Sequence, residues 1–396
     1  MIVGVPTERD AGESRVAIVP AVVPALVKSG LEILLEAGAG AAAGFPDADY
    51  VAQGARIAGG RDQAFRSAEC VVRVRPLDPK TPHGREDLAR LRPGMTVVGL
   101  LDPLGNPGAA RALAERRATA FALELLPRIS RAQSMDALTS MATIAGYKAV
   151  LIAAAALPTM CPMMMTAAGT VAPSKFLVLG AGVAGLQAIA TARRLGAVVS
   201  AYDVRPAVRE QVESLGARFV DLGLDTVGAE GAGGYAKEMD EEFYRKQREG
   251  LARHVAESDA VVTTAAIPGG RAPLLVTADA VRRMRSGSIV VDLAAESGGN
   301  CELTKCGETV EEGGVAIAGP VQLAATVPRD ASLLFARNLT AFLKHVVKEG
   351  RFAIDRDDPI ASETLVSREG EIVAPRVCEK LGPSEAAKGP AERRTV

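Results

Sequence analysis

The stretch that most restricts how this chain of 396 residues can fold is FLVLGAGVAGLQAIATARRLGAVVSAYD, residues 176–203. Gly180, Gly182 and Gly185 form a GxGxxG pattern directly after an apolar strand. The helix LQAIATARRLG follows, and a second strand ends in Asp203. Glycines at these places permit a tight turn, close approach of a pyrophosphate and close helix–sheet packing, and the helix N-terminus attracts phosphate. Ala181 and Val183 complete the turn. A carboxylate at Asp203 suits the ribose hydroxyls of NAD and repels a 2'-phosphate, whereas Arg205, two residues on, is suited to contact one. NAD is therefore favoured over NADP. The competing reading is a glycine turn in an α/β sheet that holds no nucleotide.

Around this unit the chain alternates short β-rich runs with helical stretches. IVGVP (2–6), LEILLEAG (31–38), CVVRVRP (70–76), MTVVGLL (95–101) and TAFALELL (119–126) form a first series. KFLVLG (175–180), AVVSAYD (197–203), DAVVTTA (259–265), SIVVDLA (288–294) and GVAIAG (314–319) form a second. A βαβα alternation of this kind predicts α/β architecture: two Rossmann-like doubly wound parallel-sheet domains bridged by two long helices. The expected division is 1–132 with 349–378 as an N-terminal domain, 133–158 and 332–348 as linking helices, 159–331 as the NAD-binding domain, and 379–396 as a flexible tail. The uncharged run 149–174 is long enough to span a bilayer, but it is mostly Ala and Met and is interrupted by Pro158 and Pro162. A buried helix followed by a buried loop is expected there.

Composition closes several alternatives. Lys and Arg number 46 against 47 Asp and Glu, so no basic surplus supports a nucleic-acid or acidic-membrane partner. The 5 cysteines are odd in number and scattered, which is not a disulfide scaffold, and Cys301 and Cys306 lack the second pair or histidine of a zinc site. No metal is expected. MIVGVPTERD has no signal-peptide apolar core, so a cytosolic chain is expected.

A second informative stretch is ELLPRISRAQSMDALTSMATIAGYKAV (124–150). Arg128 follows a strand, where open α/β sheets bind ligands. Gln133 and Asp136 are expected on one face at the start of a helix, with Ser140 one turn further. Such a guanidinium, amide and carboxylate suit a carboxamide and a ribose; equally, an Asp in a first turn complements the helix dipole. The residues alone leave both open.

PRISRAQSMD, PMMMTAAGT (162–170), GVAGLQAIATARRLGAVV, ESLGARF, GGYAKEM (233–239) and VDLAAESGGN together resemble the soluble NAD(H)-binding component of proton-translocating NAD(P) transhydrogenase, within the alanine dehydrogenase/transhydrogenase superfamily. The resemblance runs to about residue 370. It implies NAD(H) bound here, NADP(H) on a partner component, and direct hydride transfer between the nicotinamides. It further implies a homodimer, and proton translocation in separate membrane subunits with this chain peripheral on the cytoplasmic face. Carried over, Arg128 and Asp136 hold the nicotinamide end and Gln133 sits where the two cofactors meet. Ile129, Ser130, Ser134, Met135 and Thr139 belong to the same cofactor-binding stretch. Ala181, Gly182 and Val183 line the pyrophosphate, and Asp203, Val204 and Arg205 the adenosine ribose. Gly234, Gln247 and Ala266 match further NAD contacts. Thr139 and Ala266 depart from the residues usual in the family. GAEGAGGYAKEMDEEF (228–243) reads as a lid in which Tyr235 covers the cofactor.

Transfer between two nicotinamides moves no proton and requires orientation rather than a base. None of His83, His254 and His345 lies in a strand-end motif, and each is expected at the surface. Alanine dehydrogenase is the main enzymatic alternative. Arg15 of GESRVAIVP stands where those enzymes bind a substrate carboxylate, but Arg75 replaces their lysine, and GLLDPLG lacks their histidine. A non-catalytic NAD-binding regulatory module is the alternative from another class.

Overall fold

The structure, a computed structural model, describes residues 1–224, 240–267 and 269–382. The chain divides into two compact units: Met1–Met141 with the segment from Ala325 onward, and Ala142–Ala324.

The first unit carries an eight-stranded sheet in the order Glu371–Ile372, Leu365–Arg368, Thr119–Ala122, Thr96–Gly99, Cys70–Arg73, Ile2–Val5, Glu32–Glu36, Arg56–Ala58. The six strands of the N-terminal segment are parallel, and the two from the C-terminal segment close the edge antiparallel. Cys70–Arg73 and Thr96–Gly99 are buried at every residue, as a parallel strand covered on both faces must be.

The second unit carries a seven-stranded sheet in the order Arg218–Phe219, Val198–Tyr202, Lys175–Leu179, Ala260–Thr263, Ile289–Asp292, Val315–Ala318, Thr309–Glu312. All pair in parallel except the last, which is antiparallel. In Lys175–Leu179, Phe176 and Val178 enter one apolar core while Leu177 and Leu179 enter the other. The period-two alternation thus feeds two buried faces, and the run is apolar from Phe176 to Leu179.

The first long helix is Ala137–Ala156 and the second Pro328–Val346, which lies wholly in the first unit. Ala137–Ala156 has the length and apolarity of a membrane span, yet Ala149, Val150 and Ala153 are fully buried in the second unit's core. A Cβ at its Gly146 would lie 2.1 Å from the carbonyl oxygen of Ala184, so this helix packs backbone-close against the helix Val183–Arg194. The loop beyond it corrects the expectation of burial. Met164–Thr166 and Gly169–Val171 form a two-stranded hairpin whose residues are all exposed, Met165 at 76%. A hairpin with no third strand has no face to hide its side chains.

Candidate functional site

The three fingerprint glycines meet three different constraints. Gly180 has φ +98°, the left-handed region, and a Cβ there would strike the Thr264 hydroxyl at 2.6 Å. A Cβ on Gly185 would lie 1.8 Å from the Gly180 carbonyl oxygen, so only glycine lets the helix sit this close to the turn. Among the described residues, a Cβ on Gly182 would meet nothing within 4 Å. That residue is the N-cap of Val183–Arg194 and offers no side-chain cap, leaving the first-turn N–H groups of the helix without one. Neither the protein's own packing nor its backbone conformation requires a glycine there. The space and the helix N-terminus fit a phosphate group.

Asp203, at the end of the neighbouring strand Val198–Tyr202, is buried and makes four hydrogen bonds. Its Oδ2 accepts from the Ala181 N–H (2.7 Å) and Arg205 Nη2 (2.8 Å), and its Oδ1 from the Arg205 N–H (2.9 Å) and Arg205 Nε (2.9 Å). The carboxylate therefore ties the glycine turn to its own strand. Beside it a cavity of about 210 Å³ is lined by Tyr202, Asp203, Val204, Pro206, Phe219 and Leu222, among others. The slot joins apolar walls to a carboxylate and to the Arg209–Asp221 ion pair, a mixed lining that suits a flat base attached to a ribose.

Gln247, expected as a cofactor contact, lies buried on the helix Glu241–Ala256 and donates to the Tyr202 hydroxyl at 3.1 Å. Burial pushes that hydroxyl up to about 12, so it stays protonated. Ala266 is exposed on the loop after Ala260–Thr263. Gly234 and Tyr235, with residues 228–239 of the expected lid, lie outside the described residues, and from Asp240 on that segment opens the helix Glu241–Ala256. So does most of the expected tail, from residue 383.

Sequence reasoning missed the support of that loop. Asp292 accepts from Thr263 Oγ1 (2.8 Å), the Asn300 N–H (2.7 Å), the Cys301 N–H (3.0 Å) and Thr304 Oγ1 (2.7 Å). Asn300 Nδ2 in turn donates to the Ala265 carbonyl at 2.9 Å. The signal was the VDLAAESGGN segment, in which an acid ends an apolar strand.

In the first unit the strand Thr119–Ala122 gives way to a 3-10 turn, Leu123–Leu125, before Arg128. The expected single helix from Gln133 to Ser140 is corrected here. Ser130–Met135 is a 3-10 helix and Ala137–Ala156 begins after it, so Gln133 and Asp136 do not share an α-helical face. Asp136 caps the α-helix: its carboxylate accepts from the Thr139 N–H (2.8 Å) and hydroxyl (2.7 Å). Arg128, Ser130, Gln133 and Ser134 are exposed, Ile129 and Thr139 half-buried, and Met135 buried. Short 3-10 helices hold their own geometry poorly. This one is tied from outside, by Asn338 Nδ2 donating to the Ser134 carbonyl (2.9 Å) and by Arg131 Nη2 on Asp358 (2.7 Å). His345 also bonds to Asp358, at 2.5 Å, and is only partly exposed, which corrects its placement as a plain surface residue.

At the carboxyl ends of the first unit's strands lies a buried ion cluster. Arg73 donates to Glu8 (2.7 Å) and Asp87 (2.8 Å), while Arg61 donates to Asp87 (2.6 Å) and Glu36 (2.7 Å). Arg15 is paired too, with Glu13 through Nε (2.7 Å) and Nη2 (2.5 Å).

Two family descriptions match the chain: "Alanine dehydrogenase/PNT, N-terminal domain" over residues 4–145, and "Alanine dehydrogenase/PNT, C-terminal domain" over 149–375. The chain is 48% identical over 379 residues to an NAD(P) transhydrogenase subunit alpha chain of Rhodospirillum rubrum, covering 95% of this chain and 98% of that one. A solved transhydrogenase structure from Sinorhizobium meliloti superposes with a TM-score of 0.81 at 42% identity, covering 95% of this chain and 99% of that one. An L-alanine dehydrogenase structure also reaches a TM-score of 0.81, at 27% identity, over 96% of this chain and 99% of that one. Backbone geometry is thus common to both kinds of enzyme, and the side chains distinguish them.

Proposed function

Since the chain belongs to the alanine dehydrogenase/PNT family, on its transhydrogenase subunit alpha side, we propose that it is the NAD(H)-binding component of a proton-translocating transhydrogenase. The observation that carries this reading is the turn at Gly182, whose open space and helix N-terminus sit beside a strand-end carboxylate in a chain so similar to a transhydrogenase subunit alpha. When bound, the nicotinamide supplies a hydride that passes directly to NADP held by a partner component. The residues of this chain orient and hold. Gly182 and the first turn after it receive the pyrophosphate, Asp203 takes the ribose, and the loop fixed by Asn300 carries Ala266 against the cofactor. Arg128 and Asp136 hold the nicotinamide end, and exposed Gln133 meets the partner component; these roles rest on the resemblance of PRISRAQSMD to the family.

Arg15 would be the carboxylate anchor of an amino-acid dehydrogenase, but its guanidinium is already paired with Glu13. Coupling to proton movement would lie in membrane subunits, which would keep this chain peripheral on the cytoplasmic face. A homodimer gains support from the hairpin, where Met163, Met164, Met165 and Val171 present apolar surface to solvent.

The test is hydride transfer from NADH to an NADP analogue of distinct absorbance, with the purified chain alone and then with an NADP-binding transhydrogenase component. Turnover only on mixing is the expected result. NADH binding without turnover in either case would point to a regulatory module.

A further inference from the structure

The four hydrogen bonds at Asp203 fall into two kinds. Those from the Ala181 and Arg205 N–H groups are fixed by the backbone, whereas those from Arg205 Nε and Nη2 come from a side chain that can rotate away. Each carboxylate oxygen has two acceptor sites, and here each receives one backbone donor and one guanidinium donor. The acceptors left after the backbone has taken its share are therefore one per oxygen, which is the requirement of a vicinal ribose diol with its two O–H donors. The guanidinium fills both. Neither side chain is far exposed, at 6% for Asp203 and 15% for Arg205, so an unpaired carboxylate in this place would be poorly solvated.

We propose that Arg205 is a built-in stand-in for the ribose diol, holding Asp203 paired until a dinucleotide replaces it. This inference rests on the NAD-binding reading and sharpens it by making the Arg205 guanidinium a competitor of the ribose for the acceptors of Asp203. Two consequences follow with opposite signs. Removing the guanidinium weakens the empty protein, because Asp203 loses its charge partner. The same change tightens the cofactor, because the fraction of sites ready to accept a ribose rises.

The experiment uses the full chain and NADH, with affinity read from fluorescence quenching and stability from thermal melting without cofactor. Arg205→Leu is expected to bind NADH about tenfold more tightly, as when a form only ~10% open becomes fully open, and to melt at a lower temperature when empty. Arg205→Lys, with a single ammonium in place of the fork, is expected to fall between, about threefold tighter, and serves if the leucine variant does not fold. NADH affinity that is unchanged or weaker in both variants, or an empty protein that melts higher, would overturn the stand-in while leaving NAD binding intact. No NADH binding by the wild-type chain would overturn the dinucleotide reading and the stand-in with it.

Discussion

The two sheets wind in the same order through their parallel cores, with the first strand of each unit central, the second and third to one side, and the fourth on the other. In open sheets of this order ligands bind outside the carboxyl ends of the strands, where the winding reverses. The second unit leaves that place open. Lys175–Leu179 runs into the glycine turn, and a side chain at Gly182 would touch none of the described residues. The first unit fills it. Glu8 follows the strand Ile2–Val5, Arg73 ends Cys70–Arg73, and the two are joined at 2.7 Å inside a cluster with Asp87 and Arg61. Topology supplies a crevice twice; the residues at the strand ends decide whether it binds or is closed by the protein's own charges.

The comparison breaks most visibly at Asp87. Asp87→Ala leaves two buried guanidinium groups short of a partner and is expected to cost about 3–5 kcal/mol of unfolding free energy, with NADH affinity unchanged. Urea unfolding and NADH titration check this; a large loss of affinity would mean the filled crevice also serves binding. Gly182→Ala should do the reverse. Among the described residues no atom opposes the new methyl group, so melting should barely move, while NADH binding should weaken roughly a hundredfold, about 2.7 kcal/mol, because the methyl occupies the phosphate's place. Normal affinity in that variant would remove the central support for the binding turn.

Under the proposed function the first unit contributes through its loop. Gln133→Asn is expected to slow hydride transfer roughly tenfold, about 1.4 kcal/mol, with NADH affinity within about twofold. Affinity falling in step with the rate would place Gln133 against NADH rather than the partner.

The smallest effect belongs to Glu124. Burial raises its carboxyl to about 7, beside the Asp102 N–H from which it accepts a hydrogen bond. The folded state therefore binds this proton more tightly than the unfolded chain, and stability falls as pH rises from about 4.5 towards 7. Glu124→Gln should raise the melting temperature at pH 8 by about 2–4 °C, on the order of 1 kcal/mol, and leave it nearly unchanged at pH 4.

The open crevice was legible in the sequence and the filled one was not, for a physical reason. Gly180, Gly182, Gly185 and Asp203 belong to one local strand–helix–strand unit, so their spacing carries the geometry. Glu8, Arg61, Arg73 and Asp87 come from four separate segments, and each reads alone as a solvated charge. The four- and five-residue strands of the parallel cores were readable from their apolar runs, whereas the antiparallel Thr309–Glu312 and Leu365–Arg368 were not. Arg56–Ala58, Arg218–Phe219 and Glu371–Ile372 are too short to show a period and exist by pairing with a neighbour. Around Gln133, helical spacing read correctly from Leu138 onward but extended too far back, since a 3-10 helix held by Asn338 differs from an α-helix in contacts distant along the chain. The roles proposed for Arg128, Gln133 and Asp136 rest on the resemblance of PRISRAQSMD to the family.

The ion pair of Asp203 with Arg205 also bears on encounter rates. An approaching dinucleotide carries the negative charge of its diphosphate, and a bare carboxylate at the rim of its site would repel it. With the guanidinium in place the rim presents a neutral pair, so association is not slowed by that charge. As the ribose leaves, the same guanidinium returns to the vacated acceptors and shortens the bound lifetime. On the stand-in reading, one side chain serves both the arrival and the departure of the dinucleotide.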